Sequence, residues 1–217
     1  MIKKIIVFIR RKFRDSFKKY LSGSDIKDIG NKNFVIISNN CWGAEVYQWY
    51  KRPYNSPFIG LFIYGPCYLK LLSNFDYYMN QKLEFISKSK YPEPHRTWTY
   101  PIAKLDDIEI HFSHYKSEAI AREKWERRTA RMLEEKNMNN YYFKICDRDR
   151  NDEFIEEFHK LPYKNKISYA LRDIDSLKIK NHIKMNEKDK DGNYVINGKK
   201  LYKLTFLYFD LHQWLKA

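Results

Sequence analysis

Cys41 is the thiol best placed for chemistry in this 217-residue chain. It follows a short β-branched run, Phe34 to Ile37, and the turn Ser38-Asn39-Asn40, and it opens a segment with helical spacing that reaches Tyr50. A cysteine in the first turn of a helix lies where unpaired backbone N–H groups and the helix dipole stabilise a thiolate. A thiol nucleophile needs a base, and His111 and His114 lie at the end of a second expected strand, Ile108 to Phe112. His114, just past the strand edge, is the candidate base. Asp147, after the expected strand Tyr141 to Ile145, is the candidate that orients the imidazole, with Asp106 and Asp107 competing for that role. Asn39 and Asn40 offer amide donors beside Cys41, which suits an oxyanion site and equally suits a turn of left-handed geometry.

A helix is expected from Ser117 to about Lys136, with Ala121, Trp125 and Met132 as its apolar stripe. Arg128 falls inside that stripe, so its guanidinium needs a partner: a phosphate or carboxylate of a substrate, or a core carboxylate. Arg127 is a second candidate for the substrate, although its spacing also fits a solvated face with Glu118, Arg122, Glu123 and Glu126. His111 is a further substrate-binding candidate, in alternating phase with Glu109. No Walker loop, GxGxxG, HxxxxD or GxSxG pattern occurs, and the three cysteines form no CxxC pair. No metal or resident cofactor is expected. Asp147-Arg148-Asp149 has the D-x-D form that sugar-nucleotide transferases use for a metal, as a single weak match.

The elements that must carry these residues alternate. Phe58 to Tyr64 followed by a helix from Pro66 makes a second strand–helix unit, and Leu83 to Ile86 adds a strand. Strands alternating with helices argue an α/β fold, a mixed sheet with helices on both faces. Asp191-Gly192 and Asn197-Gly198 are turn dipeptides, so Tyr194 to Ile196 and Leu201 to Phe209 are expected to form a terminal β-meander. With 43% hydrophobic and 17% aromatic residues the chain can bury one full core, which places a single domain at 30–217.

Residues 1–22 stand apart as a basic arm. Half of the net charge of +14 lies in residues 1–20, which carry Lys3, Lys4, Arg10, Arg11, Lys12, Arg14, Lys18 and Lys19 against Asp15. At 100° per residue Ile2, Ile5, Ile6, Ile9, Phe13, Phe17 and Tyr20 share one face, the pattern of a helix lying on an anionic membrane surface or docking on protein. The apolar run is too short to span a bilayer and lacks a cleavage site, and Ser22-Gly23-Ser24 is expected to be the hinge that ends the arm. Nucleic acid is not expected, because the charge is concentrated in the arm and no RRM, KH or helix-turn-helix pattern occurs.

Four segments, Ile37 to Gly43, Ser56 to Leu61, His111 to Tyr115 with Lys124 to Arg128, and Leu161 to Lys166, together resemble a bacterial family of unknown function labelled exopolysaccharide biosynthesis proteins. A fainter similarity is to a papain-like cysteine family, which implies Cys41 as nucleophile and His114 as base. The resemblance implies surface-polysaccharide biosynthesis with a polysaccharide precursor or lipid-linked sugar as partner; the odd, widely spaced cysteines fit reduced thiols in the cytoplasm, and the basic arm fits the inner face of the membrane. Acyl transfer from a donor such as acetyl-CoA is then the expected reaction. A glycosyltransferase and a non-catalytic assembly factor are the alternatives.

Overall fold

The computed structural model describes residues 2–91, 99–147, 152–178 and 180–217. In chain order the elements are α1 (Ile2–Ser16), α2 (Lys18–Ile29), β1 (Val35–Ser38), α3 (Trp42–Trp49), α4 (Gly65–Ser73), α5 (Phe75–Met79), β2 (Leu83–Ile86), β3 (Ile102–Leu105), β4 (Ile108–His111) and α6 (Glu118–Leu133). They continue with β5 (Tyr141–Cys146), α7 (Asp152–Lys160), β6 (Asn165–Ala170), β7 (His182–Lys184), α8 (Gly198–Thr205) and α9 (Leu211–Lys216). The fold is mixed α/β.

A parallel sheet in the order β1-β5-β6-β7 forms its centre, with Ser38 of β1 level with Lys144 of β5. Strands buried on both faces read as continuous apolar runs, and Val35 to Ile37 and Tyr141 to Ile145 have that character. Val35, Ile37, Phe143 and Ile145 point to one side, where Tyr68 of α4, Trp125 of α6 and Phe158 of α7 cover them. Ile36, Tyr142, Ile167 and Tyr169 point to the other, under Trp42 and Val46 of α3, Leu201 of α8 and Trp214 of α9. Helices therefore lie on both faces. Gly43 lets α3 approach β1 closely, since a Cβ there would lie 2.9 Å from Ile36 Cγ2. A second, antiparallel sheet, β2-β3-β4, turns between β3 and β4 through Asp106, whose φ is +54°.

Three expected elements take another form. Ser22-Gly23-Ser24 is no hinge: α2 runs through it, and Ser22 is buried with its hydroxyl donating to the Trp49 carbonyl. Phe58 to Tyr64 is buried connecting chain that pairs by one antiparallel bridge, Phe62 to His111. Its apolar character reflects the packing of Phe58, Leu61 and Ile63 into the core rather than membership of a ladder, and Gly60 bends it with φ at +73°. The two strands β6 and β7 occupy the C-terminal third, but they are parallel, and the meander expected beyond them is replaced by α8 and α9. Antiparallel pairing there is the bridge between Lys188 and Val195. The Asn197 side chain accepts from the Lys200 amide at 3.1 Å, so the residue that read as a turn former caps a helix.

Candidate functional site

The carboxyl ends of β1 and β5 lie side by side, which brings the Asn39-Asn40-Cys41 turn next to Cys146 and Asp147. In sheets of parallel strands this edge is where ligands bind. Two clefts open there on either side of Asn40 and Asn197. One, of about 730 Å³, has Cys41, Gln48, Tyr54, Tyr100 and His114 in its walls. The other, of about 570 Å³, has Cys146, Lys188, Lys190, Tyr194 and Lys200.

Cys41 sits immediately before α3, partly exposed, with its sulfur 3.9 Å from the Leu61 carbonyl oxygen. His114 is exposed, and its backbone N–H donates to the Gly60 carbonyl at 3.0 Å. Gly60 is required here, because a Cβ would lie 3.1 Å from the Tyr115 ring and 3.4 Å from His114 Cβ. The fold thus brings the expected nucleophile and base into one cleft.

His111 goes elsewhere. It is fully buried, its ring stacks on Phe62 with centroids 4.5 Å apart, and its Nε2 lies 2.6 Å from Glu109 Oε1. Its Nδ1 lies 3.3 Å from the hydroxyl of Tyr100, the residue that carries this buried pair to the cleft wall. Burial pushes the Glu109 carboxyl up, but bonds from His111, the Ser89 hydroxyl and the Lys90 amide outweigh it and hold the group below the usual carboxylate range.

Asp147 does not orient His114. One carboxylate oxygen accepts the Leu171 amide at 2.8 Å and the other the Val195 amide at 2.9 Å, so the residue ties the end of β6 to the 188–195 segment. Burial pushes its pKa up. Asp106 and Asp107 are on the β3–β4 turn, where Asp106 accepts from Tyr77 and Asp107 from Lys70 and Tyr78. Among the described residues His114 has no carboxylate partner.

Asn40 lines both clefts, but its side chain is committed to partners other than Cys41. Its Nδ2 donates to Cys146 Sγ at 3.1 Å, and its Oδ1 accepts from the Trp42 amide at 3.1 Å and from Lys144 Nζ at 3.0 Å. Asn39 Oδ1 accepts from the same ammonium at 3.2 Å, while its buried Nδ2 has no partner among the described residues. Lys144 is fully buried, and burial holds its pKa below the usual lysine value. Lys144 is not among the residues expected from the sequence to act here, and the signal that marks it is a single cation in the apolar run Tyr141 to Cys146.

The two arginines separate. Arg127 is exposed and paired with Glu123 at 2.9 Å, one turn away. Arg128 is buried, donates to the Tyr115 hydroxyl at 2.7 Å and lies 5.0 Å from the centroid of the Tyr54 ring. Tyr115 in turn donates to the Ile59 carbonyl at 2.6 Å. Tyr54 and Ile59 both face the Cys41 cleft, so Arg128 stands directly behind its wall. Among the described residues no group of three or more His, Cys, Asp or Glu is placed to hold a metal. Asp149, the second carboxylate of the D-x-D match, lies outside them.

A family profile described as a domain of unknown function, DUF1919, matches residues 11–216. An uncharacterized protein of Haemophilus influenzae is 34% identical over 194 residues, a stretch that covers 87% of this chain and 86% of that protein.

Proposed function

The chain belongs to the DUF1919 family, a domain of unknown function, and we propose that it is a transferase of surface-polysaccharide biosynthesis that moves an acyl group through Cys41. The observation that carries this reading is that Cys41 and His114 line one open cleft at the carboxyl edge of the parallel sheet. The sequence resemblance to exopolysaccharide proteins supplies the pathway, and the papain-like likeness supplies the same two groups as nucleophile and base.

In the first half-reaction the Cys41 sulfur attacks the thioester carbonyl of a donor such as acetyl-CoA. His114 takes the thiol proton and returns it to the departing donor thiol. In the second, a sugar hydroxyl of the polysaccharide precursor attacks the Cys41 thioester, and His114 carries its proton back to the sulfur. In this reading backbone N–H groups in the first turn of α3, other than that of Trp42, which Asn40 caps, take the oxyanion, the role that the sequence suggested for Asn40. Arg128 fixes Tyr54 and Ile59 in the cleft wall and adds positive potential for the donor phosphates. The reaction takes place in the cytoplasm, on the inner face of the membrane, where lipid-linked sugar acceptors are displayed.

A second reading, a glycosyltransferase using a nucleotide-sugar, draws support from Lys188, Lys190 and Lys200 around the neighbouring cleft. The experiment replaces Cys41 by Ala and His114 by Ala in the producing cell and measures both the amount and the acyl content of the surface polymer. Acyl transfer predicts polymer of normal amount lacking its acyl groups. No effect of either change, with loss of the polymer itself when Lys188 and Lys200 of the neighbouring cleft are replaced by Ala, favours the glycosyltransferase. Unchanged polymer in all of these variants overturns both catalytic readings and leaves an assembly role.

A further inference from the structure

Six large apolar side chains of α1 and its junction with α2, Ile5, Ile6, Phe8, Ile9, Phe13 and Phe17, are between 48% and 59% exposed, and Tyr20 is 76% exposed. Elsewhere on the described chain large exposed apolar residues are scattered, as at Tyr77, Ile120 and Met138. Single exposed apolar residues are ordinary, whereas a continuous patch marks a surface built to be covered.

The protein's own core does not cover it. The contacts that hold the arm come from another side of α1: Val7 packs against the core, and seven residues later the Arg14 guanidinium lies 4.0 Å from the Trp49 ring centroid and 4.8 Å from that of Phe206. Below it α2 is anchored by Asp25, which accepts from Trp49 Nε1 at 2.7 Å, and by Asp28, 2.7 Å from both His212 Nε2 and Lys216 Nζ. The arm is therefore a fixed part of the molecule, with its apolar stripe half-exposed; Ile9 and Phe13 also border a groove towards Tyr202, Phe206 and Phe209, which leaves them open to solvent.

We propose that this stripe is a lipid-facing surface and that its partner is an anionic bilayer. Charge complementarity selects the partner: Arg10, Arg11, Lys12, Lys18 and Lys19 flank the stripe, which is the arrangement that buries apolar side chains at the acyl boundary while the cations meet lipid phosphates. No helix among the described residues is long and apolar enough to cross a membrane, so α1 lies in the interface plane. Because the arm is docked rather than tethered, binding also sets the orientation of the core relative to the bilayer. The inference deepens the peripheral location proposed above and is independent of any chemistry at Cys41.

The test is co-sedimentation of the full chain with vesicles of phosphatidylcholine alone and with added phosphatidylglycerol, at low and high salt. The wild-type protein is expected to bind the anionic vesicles, and raising the salt is expected to weaken binding. A double variant, Ile6→Glu with Phe13→Glu, alters only exposed positions and is expected to bind at least about tenfold more weakly with an unchanged circular dichroism spectrum. Failure of the wild type to bind, or full binding by the double variant, overturns the proposal. Light scattering without lipid supplies a further check: a dimer that the double variant converts to monomer assigns the stripe to a second copy of this chain instead.

Discussion

The side-chain amide of Asn40 donates to the sulfur of Cys146 at 3.1 Å, and this one bond reassigns a residue that would otherwise serve the thiol beside it. Asn40 is the joint of the carboxyl edge: it caps the Trp42 amide, accepts from the buried Lys144 and makes room for α8, whose Gly198 approaches so closely that a Cβ would lie 2.6 Å from Asn40 Oδ1. Asn40→Ala leaves the ammonium with one amide acceptor and the Trp42 amide without its side-chain partner. It is expected to lower stability by about 1–3 kcal/mol, read as a lower urea midpoint.

Close approach also ranks two glycine substitutions. Alanine at Gly43 meets the Ile36 side chain at 2.9 Å, whereas at Gly198 it meets the Trp42 backbone nitrogen at 2.8 Å as well as Asn40. Both are expected to destabilise by about 1–3 kcal/mol, with Gly198→Ala the worse because backbone cannot rotate away. Thermal unfolding of the two variants side by side checks the order.

The adjacent arginines should behave oppositely. Arg127→Ala removes a solvent-exposed pair with Glu123 and is expected to change stability by no more than about 0.5 kcal/mol. Arg128→Ala removes a buried guanidinium that Tyr115 and Tyr54 hold, at a cost of about 1.5–3 kcal/mol. Urea titration of both variants decides whether the buried member is the structural one.

How these two differ was legible in the sequence, because Arg128 falls on the stripe of Ala121, Trp125 and Met132 and Arg127 does not. The strand-turn-helix that presents Cys41 was legible for the same reason, a β-branched run passing into helical spacing. Less legible was everything fixed by tertiary pairing. Nothing in Ile102 to Leu105 distinguishes it as a strand until β2 and β4 flank it, and β7 has three residues. Asn197 and Gly198 favour a turn and a helix start equally, so the α8 segment could be taken for a strand. The partner of an Asp is likewise a matter of tertiary position: the spacing of Asp147 suits a catalytic orienter, yet the folded chain spends both its oxygens on backbone amides.

Acid sensitivity should have an identifiable source. His159 Nε2 lies 2.8 Å from Ser168 Oγ, which lies 2.8 Å from His182 Nδ1, and burial lowers the His159 pKa from 6.5 to about 4. The folded state therefore disfavours the protonated ring. The stability that follows is complete above about pH 6.5 and is lost as pH falls towards about 4, because the unfolded chain takes up the proton first. The urea midpoint is expected to fall across that interval, and to fall less in a His159→Gln variant.

Covalent chemistry at Cys41 can be read by intact-mass spectrometry of the full chain incubated with acetyl-CoA. One added acetyl group is expected, mapped by peptide digestion to Cys41, absent from Cys41→Ala and formed about 10²–10⁴-fold more slowly in His114→Ala. An acetyl group that persists in Cys41→Ala, or formation at the same rate without His114, would contradict it.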